Sequence, residues 1–267
     1  MMNGSPLPQP ALLAVAFGLG VAVGSFLNVV IHRVPLGLSV VRPPSACPKC
    51  GTEIRPWQNI PILSWLLLRG RCGGCGTSIS VRYLIVELLM GLLSLGLARR
   101  YGLSLEFAWS LIFAAGLLAL TWIDLDHRLL PDRITLPGIV VGLGFAPLRS
   151  PADPMAGFGD AVLGVLVGGG SLYAVAWLYA KITGREGMGG GDIKFLAMIG
   201  AFLGWQGVLL SLFLASVVGS VIGIAIMLVQ RADSKLALPF GPFLAIGALI
   251  ALLDGPALID WYLGTLG

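Results

Sequence analysis

Apolar runs separated by short polar breaks occupy almost the whole chain. They fall near residues 10–32, 83–98, 104–123, 134–148, 158–180, 192–204, 206–229 and 236–253. A helix needs about 20 mostly apolar residues to cross the hydrocarbon core of a bilayer. Most of the runs approach that length, and the fourth and sixth are short. Residues 254–267 extend the last helix or lie at the membrane interface. One long polar stretch, about 33–82, separates the first run from the second. The pattern predicts an all-α polytopic membrane protein of about eight transmembrane helices, with a small domain between helices 1 and 2. It divides the chain into a first transmembrane helix (1–32), a polar insertion (33–82) and a membrane core (83–267). No internal repeat stands out.

Composition strengthens this picture. Of 267 residues, 57% are apolar and 11% charged, against about 25% charged in ordinary soluble domains. The 38 glycines fit close helix packing in lipid, where small residues let backbones approach. No charged side chain occurs from Met1 to Ile31. The basic region of a removable signal peptide is therefore missing, and the first run is expected to be a retained helix.

Charge then sets the expected orientation, because lysine and arginine favour the cytoplasmic side. The insertion holds Arg33, Arg42, Lys49, Arg55, Arg69, Arg71 and Arg82. If it is cytoplasmic, an alternating path also puts Arg128, Arg133, Lys181, Arg185, Lys194, Arg231 and Lys235 inside. That accounts for 14 of the 17 basic residues, leaving Arg99, Arg100 and Arg149 outside. The N-terminus is then outside, and Asp124 and Asp192 both sit near helix ends on the cytoplasmic side.

All four cysteines lie in the insertion, as Cys47-Pro48-Lys49-Cys50 and Cys72-Gly73-Gly74-Cys75. Two C-x-x-C pairs with 21 residues between them approximate the spacing of a four-thiolate zinc site. Glycine follows each pair (Gly51, Gly76), as a tight turn around a metal requires. Four thiolates make a closed, structural site with no open position for catalysis. Two disulfides or a redox pair are the alternatives, and reducing cytoplasm disfavours the disulfides. With little core of its own, the insertion is expected to fold around its metal.

Two acids stand apart from the other eleven. Asp192 lies in Gly187-Met188-Gly189-Gly190-Gly191-Asp192-Ile193-Lys194, a glycine-dense break. Asp124 ends an apolar run, in Ile123-Asp124-Leu125-Asp126-His127-Arg128. An acid among transmembrane segments is costly and usually faces a cavity or a partner. Residues two apart on a helix point to different sides, so Asp124 and Asp126 cannot share a cavity. Asp124 is the better buried candidate, while Asp126 and Asp132 read as solvated, with Asp132 capping the helix after Pro131.

Paired aspartates can hydrolyse a peptide bond. One, ionised, deprotonates water; the other, protonated, polarises the carbonyl, and two nearby carboxylates do this by sharing a proton. A flexible Gly189-Gly190-Gly191 stretch could pair with an unwound substrate, and Lys194 could anchor the site at the interface. The plain alternative for the glycines is a packing hinge or loop. His32 reads as an interface residue and His127 as a loop contact.

The chain resembles the bacterial type IV prepilin peptidases, bifunctional leader peptidase/N-methyltransferases, over almost its whole length. The stretch from Gly24-Ser25-Phe26-Leu27-Asn28 to Pro35 is similar to the family's first-helix signature, and the cysteine pairs to its zinc-binding region. Arg55-Pro56-Trp57-Gln58-Asn59 and Ser78-Ile79-Ser80-Val81-Arg82-Tyr83 resemble the motifs that flank it. Asp124 with Leu130-Pro131-Asp132, and Gly189-Gly190-Gly191-Asp192-Ile193-Lys194, resemble the two catalytic-aspartate motifs, the second being the GxGD motif.

The resemblance implies a bacterial inner-membrane enzyme with zinc domain and active site on the cytoplasmic side. It would cleave the basic leader of prepilins or pseudopilins after a glycine, using Asp124 and Asp192. It would then methylate the new N-terminus with S-adenosylmethionine. Glu87 fits the family's Arg-Tyr-x-x-Val-Glu pattern. With Arg82 it forms either a helix-terminal ion pair or part of the methyl-transfer site. No nucleotide-binding glycine motif and no nucleic-acid partner is expected. The competing functions are a membrane scaffold, a proton-coupled transporter with the acids as relay, or a methyltransferase alone.

Overall fold

The computed structural model describes residues 8–184, 189–230 and 239–266. Gly187 and Met188 of the glycine motif, and Arg185, Arg231 and Lys235 of the charge count, lie outside the described residues. Each of the eight apolar runs carries helix, and among the described residues extended pairing is limited to two isolated bridges. The chain forms two compact units, 1–119 and 120–267.

The first unit is built on α1 (Gln9–Arg33) and α3 (Val81–Tyr101). Small residues bring these helices together. A Cβ at Gly24 would stand 2.7 Å from the Glu87 Cα, and one at Gly20 would stand 2.6 Å from the Met90 carbonyl oxygen. Backbones this close gain dispersion contacts and short polar bonds, which drive helix association in lipid. Ser94 Oγ donates to the Ala16 carbonyl at 2.6 Å, and Asn28 Nδ2 donates to the Tyr83 carbonyl at 3.1 Å.

Between α1 and α3 lie the cysteine pairs, a 3₁₀ turn (Pro56–Gln58) and the short helix α2 (Leu63–Leu67). The two pairs repeat one another as Cys-x-x-Cys-Gly-Thr. Cys47 N–H donates to the Thr52 carbonyl and Gly51 N–H to the Cys47 carbonyl; Cys72, Thr77 and Gly76 make the same bonds. Gly51 and Gly76 have φ of 68° and 72°, the left-handed turn expected of them. This small repeat, with its bridges Ala46–Glu53 and Arg71–Ser78, is short enough to escape a search for helix-sized periods.

The second unit contains the end of α4 (Leu105–His127), then α5 (Asp132–Arg149), α6 (Pro154–Thr183), α7 (Gly190–Gln230) and α8 (Gly241–Leu266). Asp153 starts α6 by accepting the Ala156 N–H at 3.0 Å, with Pro154 in the first turn. The first half of α7 packs on α6 through Gly164 against Gly200 and on α5 through Gly142 against Ala201. Its second half packs on α8 through Ser211 against Gly247 and Gly219 against Phe243.

The halves of α7 meet at Gly204, where φ is 73° and ψ −179°. A side chain there would collide with the Asp160 carboxylate, which also pairs with Arg149 at 3.6 Å. This break explains how the expected count of about eight relates to the helices. Among the described residues, six are long and apolar enough to cross a membrane. The runs 192–204 and 206–229 share α7, and α5, short and carrying Pro137 and Pro147 inside it, is outside the six.

Candidate functional site

Asp124 lies in the last turn of α4. It is 5% exposed, while Leu125, Asp126 and His127 are exposed. Only one of the two neighbouring acids therefore points inward, as helical spacing requires. The helix ends at Arg128, whose φ is 51° and whose N–H bonds the Asp124 carbonyl at 2.9 Å. Residues 129–131 run non-helically to α5, and buried Leu130 forms the seat for the next element. Gly191 lies on that seat: a Cβ there would be 3.0 Å from the Leu130 Cβ. Because α7 starts here, Asp192 in its first turn comes within electrostatic range of Asp124. Asp192 is half-buried.

A third element completes the group. The first N–H of α8, on Gly241, donates to Asp124 Oδ2 at 3.0 Å. A Cβ at Gly241 would stand only 2.7 Å from that oxygen. The first turn of a helix leaves N–H groups without intrahelical partners and favours negative charge. The start of α8 thus faces the carboxylate at the end of α4, and the start of α7 carries the second acid. Sequence reasoning missed Gly241, although Pro239-Phe240-Gly241-Pro242 marks a helix start of the kind that punctuates apolar runs.

Asp132 departs from expectation. Pro131 occupies the cap position of α5 and Asp132 is the first helical residue, making no cap bond. Its carboxylate instead receives Lys194 Nζ at 2.7 Å on both oxygens. Pro131 already sets the extended entry to the helix, so a side-chain cap is not needed there. Lys194 therefore ties the start of α7 to the start of α5 beside the two acids.

In the first unit, the ligand atoms of Cys47, Cys50, Cys72 and Cys75 all lie within 4.8 Å of one another, and all four thiols are free. Four thiolates at about 2.3 Å from a zinc ion stand ~3.8 Å apart. Cys47 Sγ and Cys75 Sγ are 3.9 Å apart, so the donor set and its spacing fit zinc. The Thr77 hydroxyl and backbone beside Cys75 hold its thiol down at about 6, and Thr52 lowers Cys50 in the same way. Thiolate is the metal-binding form, so each Cys-Gly-Thr turn prepares its second cysteine as a ligand.

Glu87, the methylation candidate on α3, is buried at 7% exposure and accepts the Ile62 N–H at 2.7 Å on Oε2. Its donor is thus a backbone group from the insertion, 25 residues earlier in the chain. Arg82 opens the same helix, its N–H bonded to the Ser80 cap at 3.3 Å. His32 and His127 are both exposed.

Comparison with known proteins agrees with this division. Residues 19–101 match the Bacterial Peptidase A24 N-terminal domain, and residues 111–224 match the Type IV leader peptidase family. The prepilin leader peptidase/N-methyltransferase of Stutzerimonas stutzeri is 43% identical over 276 residues, covering 95% of this chain and 94% of that protein. The protein of the same name from Pseudomonas aeruginosa is 43% identical over 272 residues, with 93% and 92% covered. That of Myxococcus xanthus is 46% identical over 231 residues, covering 85% of this chain and 68% of its own length. No solved structure matches. With both halves matched in order and relatives similar along nearly their full length, the chain belongs to the type IV prepilin leader peptidase/N-methyltransferase family.

Proposed function

We propose that this multi-pass membrane protein removes the leader of prepilins or pseudopilins and methylates the N-terminus so formed. The observation that carries the peptidase half is the convergence of Asp124 and Asp192. They are far apart in sequence, on different helices, and are brought into electrostatic range beside the first turns of α7 and α8. The site lies on the cytoplasmic side of the bacterial inner membrane, the N-terminus is outside, and the four-cysteine insertion shares the side of the acids. The positive-inside count supports this arrangement. It keeps a basic leader in the cytoplasm while the apolar pilin helix stays in lipid.

The chemistry follows from two carboxylates sharing one proton. The ionised partner takes a proton from water, and the hydroxide oxygen adds to the carbonyl carbon of the leader's final glycine. The protonated partner gives its proton to the carbonyl oxygen. Collapse breaks the C–N bond, and the departing amine takes up the proton removed from water. The Gly241 N–H occupies Oδ2 of Asp124, which leaves Oδ1 for water and the shared proton. Gly189 and Gly191 admit an unwound substrate backbone to the start of α7, and Lys194 holds that start against α5.

Zinc, bound by Cys47, Cys50, Cys72 and Cys75, supplies cross-linking of the two turns and no catalytic step. S-adenosylmethionine supplies the methyl group when bound. Among the described residues there is no glycine-rich strand-to-helix turn to cradle a nucleotide, and no seat for the donor is assigned. The bond from Ile62 N–H supports an anchoring role for Glu87.

The test is an intact mass of a prepilin incubated with the purified protein, with and without S-adenosylmethionine. Loss of the leader plus one methyl is expected. An unchanged mass, with a substrate that a relative does process, would favour a scaffold or transporter.

A further inference from the structure

The insertion carries an apolar surface that its own packing does not use. Trp57, Ile60, Leu63, Leu66 and Leu67 are all exposed, Leu67 at 82%. On α2 the inward positions are held instead by Ser64, whose Oγ donates to the Trp57 carbonyl, and by Trp65, whose Nε1 donates to the Ile79 carbonyl. The helix therefore presents leucines outward and a serine inward, the reverse of a helix on a water-facing domain.

The depth of this surface is fixed by one bond. Ile62 N–H is held at 2.7 Å by Glu87, six residues into the membrane-spanning helix α3. At about 1.5 Å per residue, Glu87 lies ~9 Å along the helix from Val81. Arg82 and Arg99 mark the ends of α3. Their separation of ~26 Å nearly spans the hydrocarbon core, so Glu87 sits just inside its edge. A segment hydrogen-bonded to Glu87 cannot stand out in water.

The backbone at the bond shows how firmly it is held. Ile62 has φ 63° and ψ −56°, and Leu63 N–H closes on the Pro61 carbonyl at 2.6 Å. This is the rare, strained form of the γ-turn, and it is centred on a β-branched residue that avoids positive φ. Strain of this kind persists only where the surroundings over-determine it. The buried Glu87 carboxyl, which accepts the Ile62 N–H at 2.7 Å, is one such constraint.

Basic groups border the apolar surface. The Arg55 guanidinium stacks on Trp57 at 5.4 Å, and Arg69 and Arg71 follow α2 directly, both exposed. Tryptophan at the headgroup level and arginine above it form the pattern of a segment lying in the membrane interface.

We propose that residues 57–68 form a lipid-facing ledge embedded in the interface of the bilayer that α1 and α3 cross, with Arg55, Arg69 and Arg71 at the phosphates of anionic phospholipids. The ledge is pinned to α3 by Glu87, and the cysteine turns project beyond it. Its existence does not depend on the assignment of the catalytic acids.

The experiment places a diazirine-bearing amino acid at position 67, or in a second sample at 63. The full-length protein is reconstituted in vesicles of phosphatidylethanolamine and phosphatidylglycerol. After irradiation the products are weighed. A phospholipid adduct should dominate at both positions, whereas the same probe at Glu53, on a cysteine turn, should add water. Arginine beside an acidic surface draws anionic lipid, so phosphatidylglycerol should be enriched in the adduct at least about two-fold over its share of the vesicle. Glu87→Leu, which removes the acceptor for the Ile62 N–H, should lower the lipid adduct at 67 relative to water. A dominant water adduct at 63 and 67 in the otherwise unaltered chain, or a cross-link to peptide, would overturn the ledge.

Discussion

The two units each bury a carboxylate, and on the proposed reading the contrast between them separates an anchoring acid from a reacting one. Glu87 and Asp124 are 7% and 5% exposed, and each accepts one backbone N–H, from Ile62 at 2.7 Å and Gly241 at 3.0 Å. Burial and a hydrogen bond are thus common to both. They differ in what else converges. Around Asp124 a second acid is brought into electrostatic range, and the first N–H of α8 donates to Asp124. At Glu87 the bond ends on a strained turn of the polar insertion. On the proposed reading, a lone buried carboxylate bonded to backbone tethers chain, while two within electrostatic range share a proton and serve as acid and base.

Perturbing the acid pair should have the largest effect. Asp124→Asn or Asp192→Asn should lower leader removal by about 10²–10⁴-fold, the usual contribution of acid–base groups, with the protein still folded. Intact mass of the substrate over time measures this.

Gly241→Ala comes next. The new methyl would press on Asp124 Oδ2, and a displacement of about 1 Å at a catalytic group can cost ~10²-fold in rate. The loss should appear in kcat more than in KM, since the change lies at the carboxylate. Normal turnover would remove α8 from the site.

Cys72→Ser or a strong chelator should release zinc and unravel the insertion, because metal binding and folding are coupled there. Methylation should suffer before leader removal. The Cys75 thiol, depressed to about 6, gives the sign of the pH effect. Its thiolate is present at neutral pH, so its contribution to metal affinity is lost as pH falls through about 6. Zinc retention in a competition titration should drop steeply below that point. Retention unchanged down to pH 5 would contradict the four-thiolate site.

Glu87→Leu, which has no acceptor, should free the Ile62 amide to exchange with solvent, measured by hydrogen exchange, while leader removal changes little. Lys194→Ala should be the mildest. The Lys194–Asp132 pair is substantially exposed at 41% and 53%, and such pairs contribute about 0.2–1 kcal/mol. A rate loss much beyond about five-fold would show that Lys194 acts on Asp192 rather than on Asp132.

Much of this was legible in the sequence. Apolar runs of membrane length located the helices, and the cysteine spacing predicted a cluster that the fold assembles. Helical geometry chose Asp124 over Asp126, matching the burial of the first and exposure of the second, and Asp192 from the glycine-dense break lies within electrostatic range of Asp124. What stayed hidden depended on contacts between distant segments. The Gly241 N–H is a backbone group and carries no signal of its own beyond the Pro-Phe-Gly-Pro start. The partner of Glu87 is likewise a backbone N–H, whereas sequence offered only Arg82 as a charge. Asp132 looked like a cap because helix starts favour aspartate, but Pro131 took that place and a lysine 62 residues away took the carboxylate. The two halves of α7 read as separate runs, and only the φ of Gly204 shows where one helix stops being straight.

The central claim is that Asp124 and Asp192 work as one proton-sharing unit. The most direct test compares leader removal by Asp124→Asn, Asp192→Asn and the double variant, each reconstituted with the same prepilin. Residues acting as a unit are non-additive, so each single variant should be nearly as slow as the double. Near-normal turnover by either single variant, or losses that multiply in the double, would contradict the pair.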